Sequence, residues 1–219
     1  MNEPFTLYSA AGSGGVAVEA ALTILDLPYR VVEMGTWFDP KAAEEIASIN
    51  PMRQVPALLL PDGELMTESA AILMWLAETD PQGRLGPKPG APGRAAFLRW
   101  MCFVSAAVYS LFWIRDKPAR LADGEAAAAQ INDRSKARIA ECWSVMDAAL
   151  TPAPYLLGRD LSALDIYVAV ISRWAEKGRN RFYRAAPGLA DAIRRVDADP
   201  RLSRLWADRF PFKPGWDGV

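Results

Sequence analysis

Two adjacent residues, Glu68 and Ser69, carry a carboxylate and a hydroxyl at the start of an apolar helical pattern. The first N–H groups of a helix have no partner within the helix, and the helix dipole gives that end partial positive charge. The position therefore favours an anion, which a serine hydroxyl and its N–H can bind. Both residue types also favour helix starts as caps, and capping is compatible with binding.

The residues before this pair predict the strands that position it. An apolar run, Ala57–Leu60, follows Pro56, and Pro61-Asp62-Gly63 is typical of a hairpin turn before a return strand at Glu64–Met66. Proline has no N–H, so Pro56 removes a backbone donor at the mouth of the first strand. A strand, a turn, a strand and then Glu68-Ser69 at a helix start together predict a pocket.

A small-residue loop, Ser9–Gly15, offers a second place for chemistry. It joins a strand predicted at Phe5–Tyr8 to a helix predicted at Val16–Leu27. Gly12–Ala17 matches the pattern G-x-G-x-x-A, and Glu33 ends the next strand about 20 residues on, as in dinucleotide-binding units. Against that hypothesis, the next strands form an antiparallel hairpin, whereas a dinucleotide-binding fold continues with parallel crossovers.

The hydrophobic periodicity divides the chain into an α/β part and an all-helical part. A further strand is predicted at Tyr29–Glu33, a short helix from Asp39-Pro40 to Asn50, and a helix at Ala70–Glu78. Later helices are predicted at about 94–117, 124–150, 162–177, 187–197 and 200–208. We therefore expect two domains, 1–80 and 94–219, joined by a proline- and glycine-rich linker at 81–93.

Composition excludes several classes of function. The 219 residues have a net charge of −1, which does not favour nucleic acid or membrane surfaces. No apolar run is expected to approach the roughly 20 residues of a membrane span, and no leader pattern is seen, so we expect a cytoplasmic protein. The chain has no histidine, which excludes Ser-His-Asp hydrolysis and histidine metal sites. Cys102 and Cys142 are expected in the core, and Arg94, Arg99 and Arg179–Arg184 as solvated or dimer-facing charge.

Three motifs in order carry a family resemblance. They are Asn50-Pro-x-x-Gln54-Val55-Pro56-Ala57-Leu58, then Glu68-Ser69, then Gly158-Arg-Asp-Leu-Ser162-Ala-Leu-Asp165. Together the motifs resemble the cytosolic glutathione S-transferases, of a serine-type, bacterial-like kind, over nearly the whole chain. The resemblance implies an α/β plus all-α fold: a thioredoxin-like β-α-β-α-β-β-α domain followed by a helical bundle. Ser162 and Asp165 are expected to cap a helix.

The resemblance also implies a binding site for glutathione as cosubstrate, with no metal. The bond before Pro56 would be cis, and the backbone of Val55 would pair with the cysteinyl part of glutathione, as an added strand would. Ser69 would bind the γ-glutamyl carboxylate, Glu68 its ammonium group, and Gln54 would give a further contact. A homodimer and a small hydrophobic electrophile as second substrate are implied as well.

The resemblance places thiol activation in the loop before the first helix. A free thiol titrates near about 8.5, so a hydroxyl that donates to sulfur favours the nucleophilic thiolate. Ser13 is the preferred activator, with Tyr8 and Ser9 as alternatives. Gly14 and Gly15 depart from the Ser-Ser-Cys-Ser run of the family's cis-trans isomerases. The predicted function is glutathione transfer; the alternatives are a non-catalytic binding protein of the same fold and a dinucleotide-dependent oxidoreductase.

Overall fold

The computed structural model describes residues 3–37, 39–174 and 179–211. Its sheet has the strand order β2-β1-β3-β4, with β2 parallel to β1 and with β3 and β4 antiparallel to their neighbours. The strands are β1 (Phe5–Ser9), β2 (Tyr29–Glu33), β3 (Ala57–Leu59) and β4 (Leu65–Thr67), and the first helices are α1 (Gly15–Ile24), α2 (Pro40–Glu45) and α3 (Ser69–Thr79). This order confirms the predicted thioredoxin-like fold.

The helical part follows an irregular stretch at 80–93. Its helices are α4 (Arg94–Phe103), a π-helical segment (Val104–Tyr109), α5 (Ser110–Asp116), α6 (Glu125–Ala149), α7 (Ala163–Ser172), α8 (Asn180–Ala185), α9 (Ala190–Asp197) and α10 (Ser203–Arg209). Short 3₁₀ turns lie at Ile46–Ser48, Pro118–Arg120 and Pro187–Leu189. The helix predicted at 94–117 contains the π-helical segment, and the one predicted at 162–177 ends at Ser172, with 175–177 outside the described residues. Helix α8 was not predicted.

Helix α1 is the centre of the molecule. Every residue of α1 except Thr23 is buried. The helix packs against β1 and α3 of the sheet part and against α7 and α10 of the helical part, and one hydrophobic core runs through both parts of the chain. Because burial of each large apolar side chain contributes about 1.5–3 kcal/mol, α1 ties the sheet to the helical part strongly.

Arg179 corrects the expectation of a solvated basic run. Its side chain is only 1% exposed and pairs with Asp197, whose carboxylate also lies 2.9 Å from buried Arg173. Burial lowers the pKa of both guanidinium groups to about 9. A run of basic residues predicts an exposed surface only on average, since one member can turn into the core if a carboxylate lies there.

The segment Arg94–Asp116 corrects two further expectations. It is long and apolar enough, by length and composition, to cross a membrane, although no such run was expected. Phe97, Trp100 and Met101 are buried in the core, as in a core helix. Cys102 is exposed rather than buried, because successive helical residues point about 100° apart and Met101 takes the inward direction. Cys142 is buried as expected.

Helix α7 begins with the predicted cap. Oδ2 of Asp165 accepts hydrogen bonds from the N–H and hydroxyl of Ser162, and Oδ1 accepts one from the N–H of Leu156 at 2.8 Å. Burial raises the pKa of the Asp165 carboxyl to about 6. All of α7 is buried, so this cap lies in the core rather than at the surface.

We predict that Asp165→Ala lowers the free energy of unfolding by about 2–3 kcal/mol, because two buried N–H groups would lose their acceptor. Urea denaturation measures the change. Asp191→Ala is the matched control: Asp191 is an exposed acid in the first turn of α9, and its ion pair with Arg194 lies at the surface. That control should cost less than about 0.5 kcal/mol. Equal losses in the two variants would contradict a structural role for Asp165.

Candidate active site

A cleft of about 310 Å³ opens between the sheet and the helical part. The sheet side contributes residues from the motif that begins at Asn50 and from Glu68-Ser69. The helical side contributes hydroxyl-bearing and aromatic residues. The lining residues are Asn50, Met52, Gln54, Val55, Pro56, Glu68, Ser69, Ser105, Tyr109, Ser110, Trp113 and Tyr167. Four of the five predicted site residues, Gln54, Val55, Glu68 and Ser69, thus lie together, whereas Ser13 is not among the lining residues.

The loop before β3 presents an unpaired backbone to this cleft. The Val55–Pro56 peptide bond is cis, as the resemblance implied. Neither the N–H nor the C=O of Val55 is hydrogen-bonded within the described part of the chain. Asn50 shapes the loop, because its Nδ2 donates to the Gln54 carbonyl at 2.9 Å and its Oδ1 accepts from the Met52 N–H at 3.1 Å. A free donor and acceptor on one residue suit an extended peptide ligand.

The start of α3 presents a free carboxylate beside a buried hydroxyl. Glu68 has a φ of +66°, a left-handed value that is uncommon outside glycine, and its side chain is exposed. Its carboxylate makes no ion pair or hydrogen bond with any described residue. Ser69 is buried, and its Oγ lies 2.9 Å from the Tyr167 hydroxyl. The unusual backbone thus holds a carboxylate at the cleft rather than in a cap.

The three hydroxyls expected near the thiol lie in different surroundings. Ser13 is buried at the turn, where its Oγ accepts from the N–H groups of Ala10 at 3.3 Å and Gly15 at 3.1 Å. The hydroxyl of buried Ser9 donates to Glu19 at 2.9 Å. Tyr8 packs on the other side of the sheet, against the cluster around Ile46.

Two residues of the C-terminal half, Trp174 and Arg209, hold the turn at 10–14 by hydrogen bonds to Gly12. The indole N–H of Trp174 donates to the Gly12 carbonyl at 2.8 Å, and the Gly12 N–H donates to the Arg209 carbonyl at 2.9 Å. Gly12 has a φ of +76°, which glycine adopts without strain. The Arg209 guanidinium lies 2.8 Å from the buried carboxylate of Glu19 and 2.8 Å from the exposed carboxylate of Glu33. Burial raises the pKa of Glu19, and the hydrogen bond from Arg209 opposes that shift.

The hydroxyls on the helical side of the cleft are not predicted from the sequence. Ser105, Tyr109 and Ser110 come from the π-helical segment and the start of α5, and Tyr167 comes from α7. Burial raises the pKa of Tyr167 to about 12, so its hydroxyl stays neutral. One signal for them is present in the sequence: a set of hydroxyl side chains at helical spacing within an otherwise apolar helix. It is easily overlooked, because an aromatic-rich helix is more often interpreted as core.

Comparisons with known proteins agree with this geometry. Residues 17–79 match the sequence model of the family described as glutathione S-transferase, N-terminal domain. The uncharacterized GST-like protein YncG of Escherichia coli is 32% identical over 201 residues, which cover 91% of this chain and 95% of YncG. This chain belongs to the glutathione S-transferase family. Glutathione S-transferase GST-4.5 of Xanthomonas campestris is 29% identical over 78% of this chain and 82% of its own.

A solved structure of the family gives the same overall arrangement. A glutathione transferase homolog from Sulfitobacter, crystallised with bound glutathione, superposes with a TM-score of 0.79 at 25% identity, over 95% of this chain and 99% of its own. The match covers the sheet and the helical part together. The serine-type assignment within the family stays a prediction.

The dinucleotide alternative does not fit this sheet. Strands β3 and β4 are antiparallel, so the sheet lacks the parallel continuation of a dinucleotide-binding unit. The Glu33 carboxylate, which would bind a ribose, is already occupied by the Ala11 N–H at 2.9 Å and by Arg209. Among residues 3–37, 39–174 and 179–211, no group of three or more His, Cys, Asp and Glu side chains could hold a metal ion.

We predict that Arg209→Ala lowers the free energy of unfolding by about 3 kcal/mol, because it leaves the buried Glu19 carboxylate without its charged partner. Urea denaturation measures this loss. Arg204→Ala is the control, since Arg204 lies on the same helix in an exposed pair with Asp208. That variant should differ from wild type by less than about 0.5 kcal/mol. A loss of that small size in Arg209→Ala would show that the ion pair does not stabilise the turn.

Proposed function

We propose that the protein is a glutathione transferase: it binds glutathione in the cleft and directs the thiolate at an electrophilic carbon of a small hydrophobic molecule. The observation that carries the proposal is the convergence of Val55, Glu68 and Ser69 on one cleft, each with the group that a γ-glutamyl peptide needs. Family membership supports the same reaction class.

The proposed binding mode uses groups of the sheet part that line the cleft. The Val55 N–H and C=O pair with the cysteinyl backbone of glutathione, as in strand addition. The Ser69 hydroxyl and the N–H groups at the start of α3 bind the γ-glutamyl carboxylate. The unpaired Glu68 carboxylate binds the γ-glutamyl ammonium group, and Gln54 gives a further polar contact. Glutathione is thus the cosubstrate, and no metal is part of the proposal.

The proposed reaction needs little from the protein beyond thiol ionisation and positioning. The thiol proton leaves to water, the sulfur lone pair forms a C–S bond with the electrophilic carbon, and the leaving group departs with its bonding pair. Partial positive charge at the start of α1 favours the thiolate. Ser13, in the turn before α1, is the activator predicted from the sequence, and its Oγ already accepts two backbone N–H groups. Trp113 and Met52 give the cleft an apolar wall for the second substrate.

The first test is retention on immobilised glutathione together with conjugation of a generic aryl halide. Retention with turnover supports the proposal. Retention without turnover would favour the non-catalytic binding protein, which is a real alternative because YncG is itself described as uncharacterized. Binding of a nicotinamide nucleotide, with neither retention nor turnover, would overturn the proposal in favour of an oxidoreductase.

The binding mode predicts that Glu68→Gln weakens glutathione binding about tenfold or more, because a charge-assisted contact with the ammonium group is lost. Isothermal titration calorimetry gives the dissociation constant. Glu64→Gln is the matched control: Glu64 is an exposed carboxylate at the end of the hairpin turn and does not line the cleft. An unchanged dissociation constant in Glu68→Gln would remove Glu68 from the site.

We also propose a homodimer in the cytoplasm, from family membership. We expect light scattering after gel filtration to give twice the chain mass. A monomeric mass at micromolar concentration would refute the dimer without bearing on the reaction.

A further inference from the structure

We propose that Tyr109 is a catalytic residue of this enzyme: its hydroxyl donates a hydrogen bond to the sulfur of bound glutathione and favours the thiolate. This inference rests on the proposed function. It assigns the contact with sulfur to a residue of the helical part, which faces the turn at 10–14 from across the cleft.

The position of Tyr109 is the first support. Tyr109 lines the cleft together with Val55 and Ser69, and it is the last residue of the π-helical segment. Its hydroxyl lies against the turn, because a Cβ added at Gly14 would lie 2.6 Å from the Tyr109 oxygen. Gly14 is the residue just before α1. The phenol oxygen is therefore at the helix end where a thiolate is favoured.

The hydrogen-bond pattern is the second support. The Tyr109 oxygen lies next to the backbone of Gly14. Within the described ranges, no acceptor takes the Tyr109 proton. The proton is thus available to a ligand atom in the cleft.

The protonation state is consistent with a donor. Burial raises the pKa of the Tyr109 phenol above its ordinary value, and the neighbouring Tyr167 and Glu68 raise it further. The phenol stays neutral at physiological pH. It then cannot act as a base, but it can stabilise an anion by donating to it.

The other hydroxyls near the turn are engaged elsewhere. The Ser13 oxygen already accepts two backbone N–H groups in a buried turn, and the Ser9 hydroxyl donates to Glu19. Neither serine lines the cleft. Trp174 fixes Tyr109, since the two rings meet edge to face with centroids 4.9 Å apart. Trp174 also donates a hydrogen bond to the Gly12 carbonyl, so one side chain positions both Tyr109 and the turn at 10–14.

The test is the pKa of the bound glutathione thiol, read from thiolate absorbance against pH. We expect Tyr109→Phe to raise this pKa by about one unit or more, and so to lower the thiolate fraction at a pH below the thiol pKa by about tenfold, because a hydrogen bond to a charged atom is lost. The dissociation constant of S-methylglutathione, which has no thiol, should change less than about twofold. Tyr29→Phe is the control, since the Tyr29 hydroxyl bonds Thr23 and lies outside the cleft lining.

A second variant gives an independent reading. Gly14→Ala keeps an allowed backbone, with φ near −62°, but its new methyl group would displace the Tyr109 ring and hydroxyl. It should raise the thiol pKa as Tyr109→Phe does, and the double variant should add little. Ser13→Ala, measured in parallel, tests the serine on its own.

The outcomes separate the two proposals. An unchanged thiol pKa in Tyr109→Phe, in a protein that binds glutathione and lowers its thiol pKa, overturns the role of Tyr109 and leaves the transferase proposal intact. A wild-type protein that does not bind glutathione overturns both. A raised thiol pKa together with unchanged S-methylglutathione binding supports Tyr109 as the donor.

Discussion

The ion pair between Glu19 and Arg209 is the interaction on which the site depends most. Glu19 lies within the buried helix α1, and its carboxylate would be costly there without a partner. Arg209 supplies the charge from the last described helix, and its own carbonyl accepts from Gly12. The end of the helical part therefore fixes the turn at which the first helix of the sheet part begins. Removal of either charge would disturb the turn as well as the core.

The cleft follows from this arrangement, because its two walls come from parts of the chain that meet around α1. The sheet wall offers groups that the fold leaves unpaired: the Val55 backbone and the Glu68 carboxylate. The helical wall offers hydroxyls on a segment whose π-helical geometry is often found at functional sites. A peptide ligand would gain its affinity from the first wall, and its sulfur would be exposed to the second.

The sequence predicted the parts of this site that are local. Val55-Pro56 and Glu68-Ser69 lie within one short stretch, so a strand, a turn and a helix start were enough to bring them together. Trp174 and Arg209 could not be found in that way, because they contact Gly12 and Glu19 across 162 and 190 residues of sequence. Tyr109 was not predicted for another reason. An aromatic residue in an apolar helix is interpreted as a core residue until the direction of its hydroxyl is known. Arg179 is the opposite case: a charged residue that was expected at the surface and is buried in the core.

The absence of histidine from the chain has a consequence for how the site would respond to pH. Tyr109 and Tyr167 stay neutral well beyond physiological pH, since burial raises the pKa of each phenol. The hydroxyl groups of Tyr109 and Tyr167 on the helical wall thus keep the same protonation state in mildly acidic and in mildly basic solution. A change in turnover near neutrality would then not come from the hydroxyls of this wall. The pKa of the ligand's sulfur would be the first quantity to compare with the rising limb of a pH–rate profile.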